Sequence, residues 1–78
     1  MNRKCRTIKT VTEQKTTDTL QGESISKMRR VQKDIVNAYG ESIRSTVLYY
    51  ITTASGVTEV ADLEQHSTVD AAFAAHNA

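Results

Sequence analysis

Cys5 is the only cysteine, and that count removes the usual staple of a short fold, because no disulfide can close within the chain. The 78 residues make at most one domain, and a chain of that size buries a limited fraction of its surface. Apolar residues supply 38% of it, with no Trp and one Phe, which is thin for a lone core. Zinc offers no substitute: His66 and His76 stand ten residues apart without another soft ligand nearby. No metal or cofactor is expected. Oligomerisation is the staple that remains, and a homodimer is the expected state.

The longest apolar stretch, Val47–Leu48–Tyr49–Tyr50–Ile51, is too short to span a bilayer. The basic N-terminus is not followed by an apolar run, so no secretory signal is read. The expectation is a cytoplasmic chain with a reduced Cys5 and no membrane partner.

Charge is distributed unevenly. Residues 1–44 hold all ten Lys and Arg against five acids, Glu13, Asp18, Glu23, Asp34 and Glu41. Residues 45–78 hold four acids, Glu59, Asp62, Glu64 and Asp70, and no Lys or Arg. Such asymmetry points to a polyanion-binding end and an acidic tail, or to two ends that attract each other.

Two regions follow: a basic N-terminal arm or strand over 1–19 and a helical domain over 20–78. Arg6–Thr7–Ile8–Lys9–Thr10–Val11–Thr12 is rich in β-branched residues and suits a short strand. Residues 13–19 have little to bury and read as loop. Over 24–39, Met28, Val31, Ile35 and Ala38 recur at helical spacing, with Ser24 as N-cap and Gly40 at the C-cap. Lys27 and Arg30 on one side, and Arg29 and Lys33 on another, make the polar face of that helix basic. Ile43, Val47, Tyr50 or Ile51, and Ala54 then predict a second helix. A strand competes there, since Thr46–Val47–Leu48–Tyr49–Tyr50–Ile51–Thr52–Thr53 has high β-propensity; the stripe over three turns decides for helix. Val57, Val60 and Leu63 mark a short amphipathic segment. Ser67–Thr68–Val69–Asp70 resembles a capping box that opens a last helix anchored by Phe73. The fold class expected is mostly α, with three to four helices and an optional short N-terminal strand.

Catalytic chemistry is not visible. No nucleophile–base set stands out, and Gly22, Gly40 and Gly56 are spread singly rather than gathered in a phosphate loop. Glu59, Asp62 and Glu64 are too sparse for a calcium loop. Cys5 lies among Arg3, Lys4 and Arg6, which favour a thiolate, yet no base or partner accompanies it. The chain is not expected to be an enzyme.

The residues Gly40–Glu41–Ser42–Ile43–Arg44–Ser45–Thr46–Val47–Leu48–Tyr49–Tyr50–Ile51, with the stripe Met28, Val31, Ile35 and Val36 before them, resemble the helix–turn–helix part of ribbon-helix-helix DNA-binding proteins of the Arc repressor type. The resemblance covers about a third of the chain. It implies an intertwined dimer in which a strand from each chain, here at 6–11, forms a ribbon in the major groove. It further implies a phosphate held at the start of the second helix, around Ser42, Ile43 and Arg44. Glu41–Ser42–Ile43, with Thr58–Glu59–Val60 and Ser67–Thr68–Val69, is similar in turn to landmarks of acyl carrier proteins, which implies modification on Ser42.

The leading expectation is a small dimeric DNA-binding protein of transcription regulation. Its basic arm of Arg3, Lys4, Arg6 and Lys9 supplies electrostatic affinity for double-stranded DNA. Arg6, Lys9 and Thr10 are placed for groove contact, and Ser42 and Arg44 for phosphate. The alternative is a helical protein–protein interaction or inhibitor protein of phage or plasmid type, binding through apolar surfaces within 28–54. The acyl-carrier-like reading ranks last.

Overall fold

The computed structural model describes residues 4–78. Strands hold 55% of the described residues and helix 15%, which overturns the mostly α expectation and the description of the chain as helical. The predicted helices over 24–39 and from Ser42 to Ala54 are the strands β4 (Lys27–Val36) and β5 (Ser42–Thr53). They lie at the centre of a four-stranded antiparallel sheet in the order β1–β4–β5–β6, with β1 at Arg6–Gln14 and β6 at Gly56–Ala61. A small hairpin, β2 (Thr19–Leu20) with β3 (Glu23–Ser24), stands apart from this sheet. A short 3-10 turn (Leu63–Gln65) and one helix, α1 (Val69–His76), complete the chain.

The physical reason for the correction lies in β4. Met28, Val31 and Ile35 mimic a helical stripe, but the strand has apolar positions on both of its faces. Met28 and Val36 point to the side that α1 covers, and Val31 and Ile35 to the other. Long-range pairing decides the outcome: β4 is hydrogen-bonded on both edges, to β1 along nine residue pairs and to β5. Gly40 was expected to end a helix and instead closes the β4–β5 hairpin. Its φ of +82° is the left-handed conformation that both roles require. Asn37 organises this turn: its Oδ1 accepts from the backbone N–H groups of Tyr39 and Glu41 at 2.9 and 3.0 Å. Three residues, 38–40, span the turn, a length that calls for glycine at its last position.

The core sits at one end of the sheet and on one face. Leu20, Met28, Tyr49, Ile51, Val60, Leu63, Val69 and Ala72 form a single buried cluster. Ile51, Val60 and Ala72 are wholly inaccessible to solvent. Of the expected core, Met28, Val31 and Ile51 are buried, and Ile35 and Val47 are half-buried. The small Ala72 lets α1 approach β6 closely. Thr68 caps α1 by accepting the Ala71 N–H at 3.0 Å. The Asp70 carboxylate accepts the N–H of Gln21 at 2.6 Å, fixing the helix to the positive-φ turn of the β2–β3 hairpin. Beyond the reach of α1 the sheet continues as a single layer, and all nine residues of β1 are exposed.

Candidate functional site

In an antiparallel sheet, directly opposed residues share a face, and faces alternate along each strand. The register therefore sorts every side chain of the sheet. The face turned away from α1 presents the rows Thr7–Ile35–Arg44, Lys9–Lys33–Thr46, Val11–Val31–Leu48–Ala61 and Glu13–Arg29–Tyr50–Glu59. Among the described residues no element of the fold covers this open face.

Lys9 and Lys33 stand directly opposite each other on this face, an arrangement that costs stability when nothing offsets it. Arg44 lies one row further toward the hairpin turn. Among the described residues the ion pairs are Lys27–Glu13 at 3.0 Å and Arg30–Glu64 at 2.7 Å, so Lys9, Lys33 and Arg44 meet no carboxylate. Arg29 lies over the ring of Tyr50, 5.6 Å from its centroid.

The hairpin-turn end of the sheet collects Lys4, Arg6, Lys9, Lys33 and Arg44 against two carboxylates, Asp34 and Glu41. Both carboxylates are already occupied. Asp34 accepts hydrogen bonds from the Ser45 hydroxyl and the Gln32 amide, which hold its carboxyl below the usual range, the Ser45 bond most of all. Glu41 accepts from the Asn37 amide at 3.2 Å. A depression lined by Lys4, Cys5, Arg6, Asn37 and Ala38 opens at the same end.

The face toward α1 behaves differently where the helix stops. Arg30 donates from Nε to Glu64 at 2.7 Å and from Nη1 to Gln32 at 2.8 Å. The Tyr49 hydroxyl donates to the same Glu64 oxygen at 2.8 Å. The two donors lower the Glu64 carboxyl, Arg30 first, and Glu64 in turn raises the Arg30 guanidinium. Burial, followed by the bond to Glu64, pushes the Tyr49 phenol up. With Gln32, Asp34 and Ser45 this forms a ladder of satisfied polar groups that closes the end of the core. Arg30 is thereby committed to structure.

The structure divides the residues singled out from sequence. Lys9 and Arg44 share the open face, whereas Arg6, Thr10 and Ser42 belong to the opposite face through their pairings with Val36 and Gln32. Lys4 is exposed just ahead of β1. Arg3 lies outside the described residues. Ser42 opens a strand, so the helix start that would have held a phosphate there is absent. The register passes from Ile35↔Arg44 to Val36↔Ser42, leaving Ile43 as the extra residue of a bulge, 60% exposed. Sequence reasoning did not select Lys33 and Arg29 as site residues. The signal that marks them is the two-residue period of Lys27, Arg29 and Lys33, which a helical reading scatters.

Among the described residues no group of His, Cys, Asp or Glu is placed to hold a metal ion, and no helix is long and apolar enough to cross a membrane. Compared with family models, curated proteins and solved structures, the chain matches none.

Proposed function

We propose that the chain binds nucleic acid, in the form of duplex DNA, through the basic hairpin-turn end of its sheet. The observation that carries this reading is the gathering there of Lys4, Arg6, Lys9, Lys33 and Arg44, with both nearby carboxylates tied up by neutral donors. Cations held together without counter-charges are stabilised by an external polyanion, and release of its counterions supplies the affinity. The β4–β5 hairpin projects this charge on a narrow element. β1 flanks it as far as Val36, so three strands bring their cations to this end of the sheet. A duplex is favoured over splayed single strands because the hairpin-turn end offers one aromatic to stack on, Tyr39, 83% exposed, and the open face offers little more. Its aromatic side chain, Tyr50, lies under Arg29 in a row flanked by Glu13 and Glu59. The contacts are to phosphate, which positions without reading sequence.

The test is an electrophoretic shift with duplex and single-stranded DNA over a range of salt. Binding should weaken steeply as salt rises. The triple variant Arg6→Gln, Lys33→Gln, Arg44→Gln is expected to flatten the log–log salt slope by about 2.7, at roughly 0.9 per lost phosphate contact. Absence of any shift at low salt would overturn the reading.

A further inference from the structure

We infer that strand β1 pairs with β1 of a second copy of this chain, antiparallel, about a two-fold axis at Val11. The inference does not rest on nucleic-acid binding, and of the five cations at the hairpin-turn end it engages Lys9 alone.

The starting point is the outer edge of β1. One side of the strand is bonded to β4 through nine unbroken residue pairs; the other side carries no strand among the described residues. An edge of this length is ordinarily blunted by proline, a bulge or a covering element. Here the chain contains no proline, β1–β4 has no bulge, and every residue of β1 is exposed. Ile8 and Val11 are 42% and 50% exposed.

What selects the occupant is the pattern of β1 itself. Antiparallel pairing of two identical edge strands in one continuous sheet keeps like faces together, so the axis must pass through a residue pair. An axis at Lys9 sets Lys9 against Lys9 of the second copy. An axis at Thr10 sets Lys9 against Val11 and Thr7 against Glu13, with no charge matched. An axis at Val11 sets Lys9 opposite Glu13 twice, Thr10 opposite Thr12 twice, and Val11 against Val11. It also sets Glu13, which pairs with Lys27 at 3.0 Å within its own chain, beside the Lys9–Lys33 pair of the second copy, which meets no carboxylate of its own chain. On the open face the row Val11–Val31–Leu48 then continues into the same row of the second copy as one apolar stripe. Such an interface is isologous and closed, so it stops at two copies rather than growing into a fibre.

Sedimentation without nucleic acid, over a range of protein concentration, tests the pairing. The unmodified chain should form a reversible dimer. Lys9→Glu alone and Glu13→Lys alone each place like charges opposite each other twice, and each should weaken the dimer by about ten- to thirtyfold. The double variant Lys9→Glu, Glu13→Lys should restore it. Because β1 is exposed throughout, these variants should keep the circular-dichroism spectrum of the parent. In a Cys5→Ser background, Val11→Cys should crosslink two copies on oxidation, and Thr12→Cys, which faces Thr10, should not. An unmodified chain that stays monomeric at every concentration overturns the inference and leaves the edge to a strand of another protein. A dimer that ignores the single charge reversals, or a double variant that fails to regain it, overturns the Val11 axis.

Discussion

Glu64 accepts from both Arg30 and Tyr49 and so joins β4, β5 and the 3-10 turn with one carboxylate. Its folded-state pKa lies below the ordinary carboxylate value, chiefly through Arg30. A depressed carboxyl contributes stability that is fully present above the unfolded-state pKa and is lost as pH falls through the folded one. The melting temperature is therefore expected to drop on acidification, from the ordinary glutamate range downward. Glu64→Gln should lower it near neutrality and make the acid slope shallower. Asp34, lowered by Ser45 and Gln32, contributes with the same sign and keeps part of the slope in that variant. Thermal melts across the acid range check this, and identical slopes in parent and variant would show that the network does not couple to folding. None of this network was legible in the sequence. Arg30, Tyr49 and Glu64 are far apart in the chain, and only the register of β4 on β5 and the fold-back after β6 bring them together. Lys9 and Arg44, by contrast, were singled out from charge alone, and the register puts both on the open face.

The elements were legible where local chemistry decides them and illegible where pairing does. The pattern Ser67–Thr68–Val69–Asp70 announces α1, although Thr68 is its cap and Asp70 turns to Gln21 instead of closing a box, and the β-branched run near the N-terminus announces β1, which continues to Gln14. β4 and β5 are hairpin neighbours, but their apolar residues serve two faces, so no clean two-residue period emerges and a helical spacing is mimicked. Gly40 adds to the ambiguity, because a helix end and a three-residue hairpin turn ask for the same backbone. Its φ of +82° makes it the sensitive point of the β4–β5 hairpin. A Cβ there meets no atom within 4 Å, so the cost of Gly40→Ala is conformational alone. Chemical denaturation is expected to show a loss of about 1–2 kcal/mol. Gly40→Asn should lose less, since asparagine tolerates this region better. Equal stability of the glycine and alanine forms would mean that the turn relaxes to another geometry.

At the scale of the whole molecule, the chain is drawn out to 53 × 23 × 18 Å, and its charge is drawn out with it. The hairpin-turn end holds Lys4, Arg6, Lys9, Lys33 and Arg44, while Glu23, Glu59, Asp62, Glu64 and Asp70 lie in the half that α1 covers. The sequence asymmetry is thus a spatial one, although the sequence places Lys33 and Arg44 among helices rather than on one sheet face. The half-covered sheet also has a thermodynamic consequence. The heat-capacity change of unfolding tracks the apolar surface newly exposed to water, about 12–15 cal/mol/K per residue for ordinary globular chains. Here much of the apolar surface beyond α1 is already in contact with water, and that half is held by the ladder and by cross-strand pairs. Calorimetry is expected to give a value below that band, and a value at or above it would mean that the outer sheet is covered in solution. A small heat-capacity change flattens the dependence of folding free energy on temperature. Folding free energy then declines slowly on cooling, which moves cold denaturation to lower temperature.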